Sequence, residues 1–362
     1  NPPVLYRYHP NAFMVKNFER IFSSKFNVKY SHLLSSGTAA IETALFAAGV
    51  RPGDEVITTA FTFLAPVEAI LKLKAIPVCV EIDQSLHMDP IAIENAITKK
   101  TKAICVVPMW GPCDMEKIVK ICKKNKIKLV EDTCQCMGGT YKNKLLGTFG
   151  IASSFSLDYG KTITAGEAGV VVTNNKKIYE LASAFADHGH KHDPNFPRGQ
   201  DPVIVPGFNY RVSEITGAVA LAQLEKIGFI LKSQRKRYHK LINKISNLKN
   251  IEIRKSSDRE GDTGDTLIII FPNNKMANLA SKYLKQKKIN SKILPEAFNW
   301  HFAGSWKHIW KDLGYNKYTN LKNYWPNTFS LLKRSVAVNI SVHKNNIWDE
   351  MFYNCISKAS KF

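Results

Sequence analysis

Between about Thr38 and Asn174 the chain alternates between two hydrophobic periods, and this alternation restricts the fold more than any other feature of the sequence. Thr38 to Ala48 carries Ile41, Leu45 and Ala48 on one side of a helical wheel, so it reads as a helix with an apolar face. Glu55 to Thr59 reads as a short strand, Pro66 to Lys74 as a helix opened by proline, and Pro77 to Ile82 as a strand. A helix at 90–98, a strand at 102–107, a helix at 114–125 and a strand at 128–132 continue the series. Such a series builds a mostly parallel sheet covered by helices on both faces, so the fold class is α/β. Open sheets of this class bind ligands beyond the carboxyl ends of their strands. Phe63, Asp132 and Lys161 all fall at or just after such ends.

The second part of the chain has a different character. A helix is expected from about Val212 to Lys226, then a separate basic helix from Leu231 to Ile245. Strands at Ile251–Ile253 and Thr266–Pro272, a helix near 275–288, a strand at 335–340 and a helix from about 346 follow. This is a smaller α+β domain, which divides the 362 residues into a large domain, 1–228, and a small one, 229–362. His188 to Pro206 is rich in His, Pro and Gly without apolar period; it reads as a long loop, and such loops in compact domains are usually functional.

Composition excludes several classes. With 44% hydrophobic residues the chain can bury a large core, which rules out a disordered protein. No run of about 18 uncharged apolar residues is present, so no membrane span is expected. The start, Asn1-Pro2-Pro3-Val4, lacks the basic-then-apolar pattern of a signal peptide, and the missing Met leaves room for a trimmed segment. The seven cysteines are scattered without a Cys-x-x-Cys pair or a His cluster at zinc spacing, which points to free thiols in a reducing cytoplasm and to no metal. The net charge of +21 comes from lysines spread along the chain rather than packed into one patch. No nucleic-acid motif accompanies it, so the charge reads as solvated faces and an attraction for an anionic substrate.

One constellation carries chemistry. Lys161 follows a strand in Ser156-Leu157-Asp158-Tyr159-Gly160-Lys161, and upstream stand Asp132, at a strand end, and Gln135. An amine for a Schiff base, a carboxylate to keep a pyridine nitrogen protonated, and small hydroxyls and amides for a phosphate are the parts that hold pyridoxal phosphate. Taken singly, each residue has a plainer reading. Lys161 could be a solvated loop lysine, Asp132 the cap of a following helix, and Ser36 a simple N-cap of the helix that Gly37 and Thr38 open.

Five segments in order make the chain resemble the DegT/StrS family of sugar aminotransferases, which have the fold of aspartate aminotransferase. They are Ser36-Gly37-Thr38-Ala39-Ala40, Ala60-Phe61-Thr62-Phe63, Glu131-Asp132-Thr133-Cys134-Gln135, Ser156 to Gly169, and Gly207-Phe208-Asn209-Tyr210-Arg211. The resemblance implies that Lys161 is the Schiff-base lysine and the acid/base of the reaction, and that Asp132 pairs with the pyridinium nitrogen. It further implies that Gln135 contacts the cofactor, Phe63 stacks on its ring, and Gly37, Thr38 and Ser156 hold its phosphate. Asn209 would reach the phosphate from a neighbouring subunit, making a homodimer with shared active sites.

The resemblance also implies a keto-sugar substrate with L-glutamate as amino donor, in lipopolysaccharide or other surface-polysaccharide biosynthesis. The keto sugar is a nucleotide-linked hexose or, by the Asp158-Tyr159 and Trp300-His301 segments, an 8-keto ulosonate of the branch making 8-amino-3,8-dideoxy-manno-octulosonate. His188, Trp300 and His301 are candidates for the sugar pocket. Two departures, Gly166-Glu167-Ala168-Gly169 for Gly-Glu-Gly-Gly and Pro108 for a common histidine, bear on the substrate rather than the cofactor. A sugar dehydratase on the same scaffold, where relatives replace the lysine with histidine, and a non-catalytic regulatory binder are the competing readings.

Overall fold

The computed structural model of the protein describes residues 4–9, 11–197, 199–294, 300–312, 323–343 and 345–362. Asn1-Pro2-Pro3 at the N-terminus and Arg198 in the long loop lie outside the described residues. The first part runs α1 (Met14–Phe26), β1 (Tyr30–Leu34), α2 (Gly37–Ala47), β2 (Glu55–Thr59), α3 (Ala65–Lys72), β3 (Ile76–Val80), α4 (Pro90–Ala96) and β4 (Thr101–Val106). It continues through α5 (Met115–Asn125), β5 (Lys128–Asp132), the hairpin β6 (Thr140–Tyr141) and β7 (Lys144–Leu145), β8 (Ala152–Ser156), β9 (Gly169–Thr173) and α6 (Lys176–Phe185).

Seven strands form one sheet in the order β1-β9-β8-β5-β4-β2-β3. Every pairing from β8 to β3 is parallel, and β9 runs antiparallel to both of its neighbours. The carboxyl ends of β8, β5, β4 and β2 therefore lie side by side on one edge of the sheet. On the β9 side, α1 buries Val15, Phe18, Phe22 and Phe26, a stripe at helical spacing, against Phe155, Val170 and Val172 of the sheet. The other face receives α2, whose small residues Ala39, Ala40 and Ala44 are buried and let the helix approach closely.

The remainder runs α7 (Glu214–Ile245), β10 (Glu252–Ile253), β11 (Thr266–Ile270), α8 (Asn274–Gln286), β12 (Ser291–Leu294), α9 (Lys307–Asp312), α10 (Pro326–Leu332), β13 (Ser335–Asn339) and α11 (Asn346–Ala359). A second, antiparallel sheet has the order β10-β11-β13-β12.

The two helices expected at 212–226 and 231–245 are one helix of 32 residues, so the expected boundary at 228 falls inside α7. The reason is a continuous apolar stripe. Leu224 and Ile227 pack in the core with α1, while Tyr238, Leu241 and Ile245 pack in the core of the small sheet with Leu267 and Val338. Gly228 sits between them with open space around it, and a glycine there costs only about 1 kcal/mol against alanine.

A buried arginine ties the two sheets together. Arg254 donates to the carbonyls of Met109 (2.6 Å) and Trp110 (3.2 Å) and lies 3.4 Å from Asp262 Oδ1. Gly111 is required there, since a Cβ at that position would stand 2.1 Å from Asp262 Oδ1.

Candidate active site

The carboxyl ends of β2, β4, β5 and β8 open on a cavity of about 660 Å³. Each end contributes to its wall: Phe63 after β2, Trp110 after β4, Cys134 and Gln135 after β5, and Tyr159 to Thr162 with Lys161 after β8. The small sheet closes the opposite side with Asp265, Thr266, Asn290, Lys292 and Asn339. Lys161 is half-buried, and its backbone amide donates to the Asp158 carbonyl at 3.1 Å, which closes the turn that carries it.

Asp132 lies behind this wall, fully enclosed at the end of β5. Its Oδ1 accepts from the Cys134 amide at 3.1 Å and from Ser154 Oγ at 3.4 Å. Burial pushes its carboxyl above the ordinary range, and the Cys134 bond and the nearby Lys161 charge oppose that rise. No helix follows β5, so Asp132 caps a turn rather than the expected helix, and the same carboxylate is also within electrostatic reach of Lys161. Cys134 stays a neutral thiol because burial, then Asp132, pushes it well up.

Gly37 and Thr38 begin α2, where Ser36 Oγ accepts from the Ala39 amide at 3.1 Å, the N-cap foreseen as the plainer reading. Gly37 packs on the end of β8, since a Cβ there would lie 2.8 Å from the Ser156 Cβ. Ser156 Oγ accepts from the Asp158 amide at 3.2 Å, which links that serine to the Lys161 turn. The helix start, Ser156 and Lys161 therefore form one connected unit.

Phe63 meets Trp300 edge-on, with centroids 5.8 Å apart and planes at 85°, and His301 at 6.1 Å. Backbone pairing puts these two residues there: Thr62 donates to the His301 carbonyl at 3.2 Å and Ala303 to the Ala60 carbonyl at 2.9 Å. His301 lines the cavity, whereas Trp300 stays 53% exposed. Burial, then the charges of Lys292 and Lys161, push the His301 imidazole down to about 3, so it is neutral at physiological pH.

His188 and Asn209 are not in the cavity wall of the single chain. Both are exposed, and they sit together: the His188 amide donates to the Phe208 carbonyl at 3.0 Å, and Asp187 bridges Asn209. Arg211 pairs with the buried Asp187 beneath them.

Sequence reasoning missed Trp110, Asp265, Lys292 and Asn339. Trp110 holds a left-handed backbone with φ of 59°, a conformation costly for a bulky residue and maintained by the Arg254 contact to its carbonyl. Lys292 Nζ stands 4.9 Å from the Trp110 ring centroid. Burial and Lys161 push this lysine down to about 8, while Asp265 pulls it up. The only signal for Trp110 was the glycine after it, and Lys292 was one cation among 51 Lys and Arg. Among the described residues no group of three or more His, Cys, Asp or Glu is placed to hold a metal, and no helix is long and apolar enough to cross a membrane.

Comparison with solved structures defines the class. A GDP-4-keto-6-deoxymannose-3-dehydratase with a trapped PLP-glutamate geminal diamine superposes with a TM-score of 0.82 at 23% identity, over 98% of this chain and 100% of that one. The Helicobacter pylori aminotransferase involved in pseudoaminic acid biosynthesis gives a TM-score of 0.81 at 22% identity, over 100% of this chain and 94% of that one. The fold is that of the pyridoxal-phosphate-dependent aminotransferases.

The DegT/DnrJ/EryC1/StrS aminotransferase family model matches residues 12–343, and the chain belongs to that family. A GDP-perosamine synthase of Escherichia coli O157:H7 is 40% identical over 229 residues, 61% of this chain and 60% of that protein. The chain spans 51–60% of the length of curated relatives of this kind.

Proposed function

We propose that the protein is a pyridoxal-phosphate-dependent aminotransferase that converts a keto sugar to an amino sugar with L-glutamate as donor. The observation that carries this reading is Lys161 in the wall of the cavity, with the buried Asp132 close enough for their charges to act on each other. Family membership and fold support it.

The residues fit the cofactor. Gly37 lets the start of α2 pack directly on Ser156, where a Cβ would clash, and the first-turn amides and dipole of α2 suit a phosphate. Asp132 is a carboxylate whose burial calls for a counter-charge, which a protonated pyridine nitrogen supplies. Gln135 and Phe63 line the space between, as contacts for the ring. Pyridoxal phosphate, when bound, provides the electron sink for cleaving a bond at the amine-bearing carbon. Lys161 Nζ would hold the cofactor and, once displaced by the incoming amine, would carry the proton from the donor carbon to the cofactor. Neutral His301 and the polar side of the small sheet orient the substrate.

The finer reading is a nucleotide-linked keto hexose or an 8-keto ulosonate, used in lipopolysaccharide or surface-polysaccharide synthesis in the cytoplasm. The protein works as a homodimer, with Asn209 reaching the partner's phosphate site; its exposure beside His188, outside the cavity of one chain, supports this. Residues 1–228 carry the cofactor and 229–362 form a smaller domain that bears on the substrate.

The test is spectroscopic and chemical. Holoprotein absorbing near ~410 nm should bleach toward ~330 nm with glutamate, values typical of the cofactor's own chemistry. Borohydride should fix the cofactor on the peptide containing Lys161, and mass spectrometry of a keto-sugar panel should show one aminated product. Trapping on another lysine overturns the assignment. A bound cofactor that glutamate leaves unchanged points to a regulatory binder, and loss of a substrate hydroxyl as water points to a dehydratase.

A further inference from the structure

Asn209 sits between two aromatic residues that share one side of its segment. The segment runs extended beside the end of α6: the Phe208 amide donates to the Phe185 carbonyl at 2.8 Å and the Tyr210 amide to the Ala186 carbonyl at 2.9 Å. In an extended chain second neighbours point one way and the residue between them the other. Phe208 and Tyr210 accordingly stack, with centroids 5.5 Å apart and planes at 22°, and Asn209 is exposed on the opposite side.

A charged clamp holds the aromatic side. Tyr210 Oη donates to Glu42 Oε2 at 2.8 Å, and Lys72 Nζ pairs with the same oxygen at 3.1 Å and also hydrogen-bonds Tyr210 Oη. Lys72 Nζ stands 4.8 Å from the Phe208 ring centroid and 4.9 Å from that of Tyr210. Glu42 lies on α2 and is buried, and its Oε1 has no hydrogen-bond partner among the described residues. A carboxylate so enclosed is costly unless donors and a counter-charge meet it, and Tyr210 and Lys72 supply these at Oε2. Burial would lower the Lys72 ammonium, but its bonds to Tyr210 and Glu42 outweigh that and raise it, so it stays charged. The Tyr210 carbonyl in turn accepts from the Ser35 amide at 2.9 Å, one residue before the cap of α2. Tyr210 is thus tied to α2 through both its side chain and its backbone.

The geometry points to Tyr210 as the positioning residue for Asn209: clamped by Glu42 and Lys72, it sets the reach of Asn209 toward the phosphate site of the partner subunit. This inference rests on the shared-site reading of Asn209. An exposed asparagine on a surface segment has many arrangements open to it, and all but one are given up on contact with a phosphate. Fixing the residues on either side beforehand reduces that cost. A clamp that served the fold alone would act on the chain that carries it. A clamp on Asn209 acts on the site of the other chain, and on the phosphate in particular.

The experiment uses heterodimers purified through two different affinity tags, each with Lys161→Ala in one subunit so that a single Lys161 remains. Tyr210→Phe is placed either in the Lys161→Ala subunit, opposite the remaining lysine, or in the subunit that keeps Lys161. Affinity for pyridoxal phosphate is read from the extent of borohydride trapping on the Lys161 peptide across a titration, and pyridoxal, which lacks the phosphate, is titrated in parallel. Tyr210→Phe opposite the lysine should weaken pyridoxal phosphate about tenfold, a loss of ~1.4 kcal/mol. The same substitution beside the lysine should stay within about twofold, and pyridoxal should bind alike in both. Lys72→Met, which removes only the ammonium of a half-exposed side chain, goes through the same pair and should show the same asymmetry.

Equal weakening in the two arrangements, weakening only beside the lysine, or an equal loss for pyridoxal would make the clamp a support of its own chain and overturn the inference. Wild-type affinity throughout, or failure of both variants to fold, overturns it as well. Asn209→Asp in the same two arrangements separates this from the reading beneath it. If Asn209→Asp opposite the lysine leaves pyridoxal phosphate affinity unchanged, the shared site itself fails. If it weakens the cofactor while Tyr210→Phe and Lys72→Met do not, the shared site stands and only the clamp is wrong.

Discussion

Gly37 and Ser156 touch so closely that a Cβ on Gly37 would lie 2.8 Å from the Ser156 Cβ and 3.0 Å from its Oγ. The start of α2 and the end of β8 thus meet with no room for a side chain, and Cys134 Sγ stands 3.3 Å from the same point. Gly37→Ala must force them apart. We expect the variant to fold but to bind pyridoxal phosphate at least about tenfold more weakly, a loss of ~1.4 kcal/mol, as measured by titrating apoprotein and following the visible absorbance. Wild-type affinity in the variant would mean that this contact does not hold the phosphate.

Asp132 tests the electronic role. Asp132→Asn keeps the size and the acceptor oxygen for the Cys134 amide but removes the charge. Cofactor should remain bound while transamination slows by several orders of magnitude, with ~1.4 kcal/mol for each tenfold. A near wild-type rate would leave Asp132 as the cap of its own turn and nothing more.

Asn209 tests the dimer. Two-fold symmetry makes two equivalent shared sites, so a mixed dimer of Lys161→Ala and Asn209→Asp contains one site with both residues intact. Each variant alone should be inactive or severely impaired, the second because its aspartate would stand against the phosphate. Mixing them should restore measurable activity. If labelled subunits demonstrably exchange and none returns, Asn209 acts within its own chain.

Glu19 predicts acid sensitivity of the fold rather than of the chemistry. Burial alone would raise its carboxyl, but Arg7 at 2.7 Å, His32 and the Leu33 amide outweigh burial and hold it at about 2. A carboxylate held below its unfolded value stabilises the protein above about pH 4.5, and that contribution disappears as pH falls toward 2. Its full size is about 3 kcal/mol. Urea midpoints should therefore fall between pH 6 and pH 3 more steeply for wild type than for Glu19→Gln, which lacks the titrating group. Parallel pH profiles for the two would remove Glu19 from the account of acid stability.

The alternation from α2 to β5 was legible in the sequence because its apolar periods are long and set locally. β2 appears at Glu55–Thr59 as read, and α5 and β5 within a residue of their expected bounds. Lys161, Asp132 and Gln135 were legible for a related reason: each follows a strand end, and strand ends in such a sheet converge on one edge. The antiparallel place of β9 was not legible, since a strand buried on both faces shows the same apolar run in either direction.

The break expected near 228 failed because burial on two different cores made the composition of α7 change halfway along, although the helix does not. The sequence carried no signal for Lys292, Asp265 and Asn339, and for Trp110 only the glycine after it. Their meeting depends on β11, β12 and β13 pairing across long separations and on Arg254 fixing the small sheet against the end of β4. The local sequence thus determined the sheet, the strand-end lysine and the carboxylate behind it. The tertiary structure decided which distant side chains face that lysine, because contacts between chain segments far apart leave no periodic trace in either one.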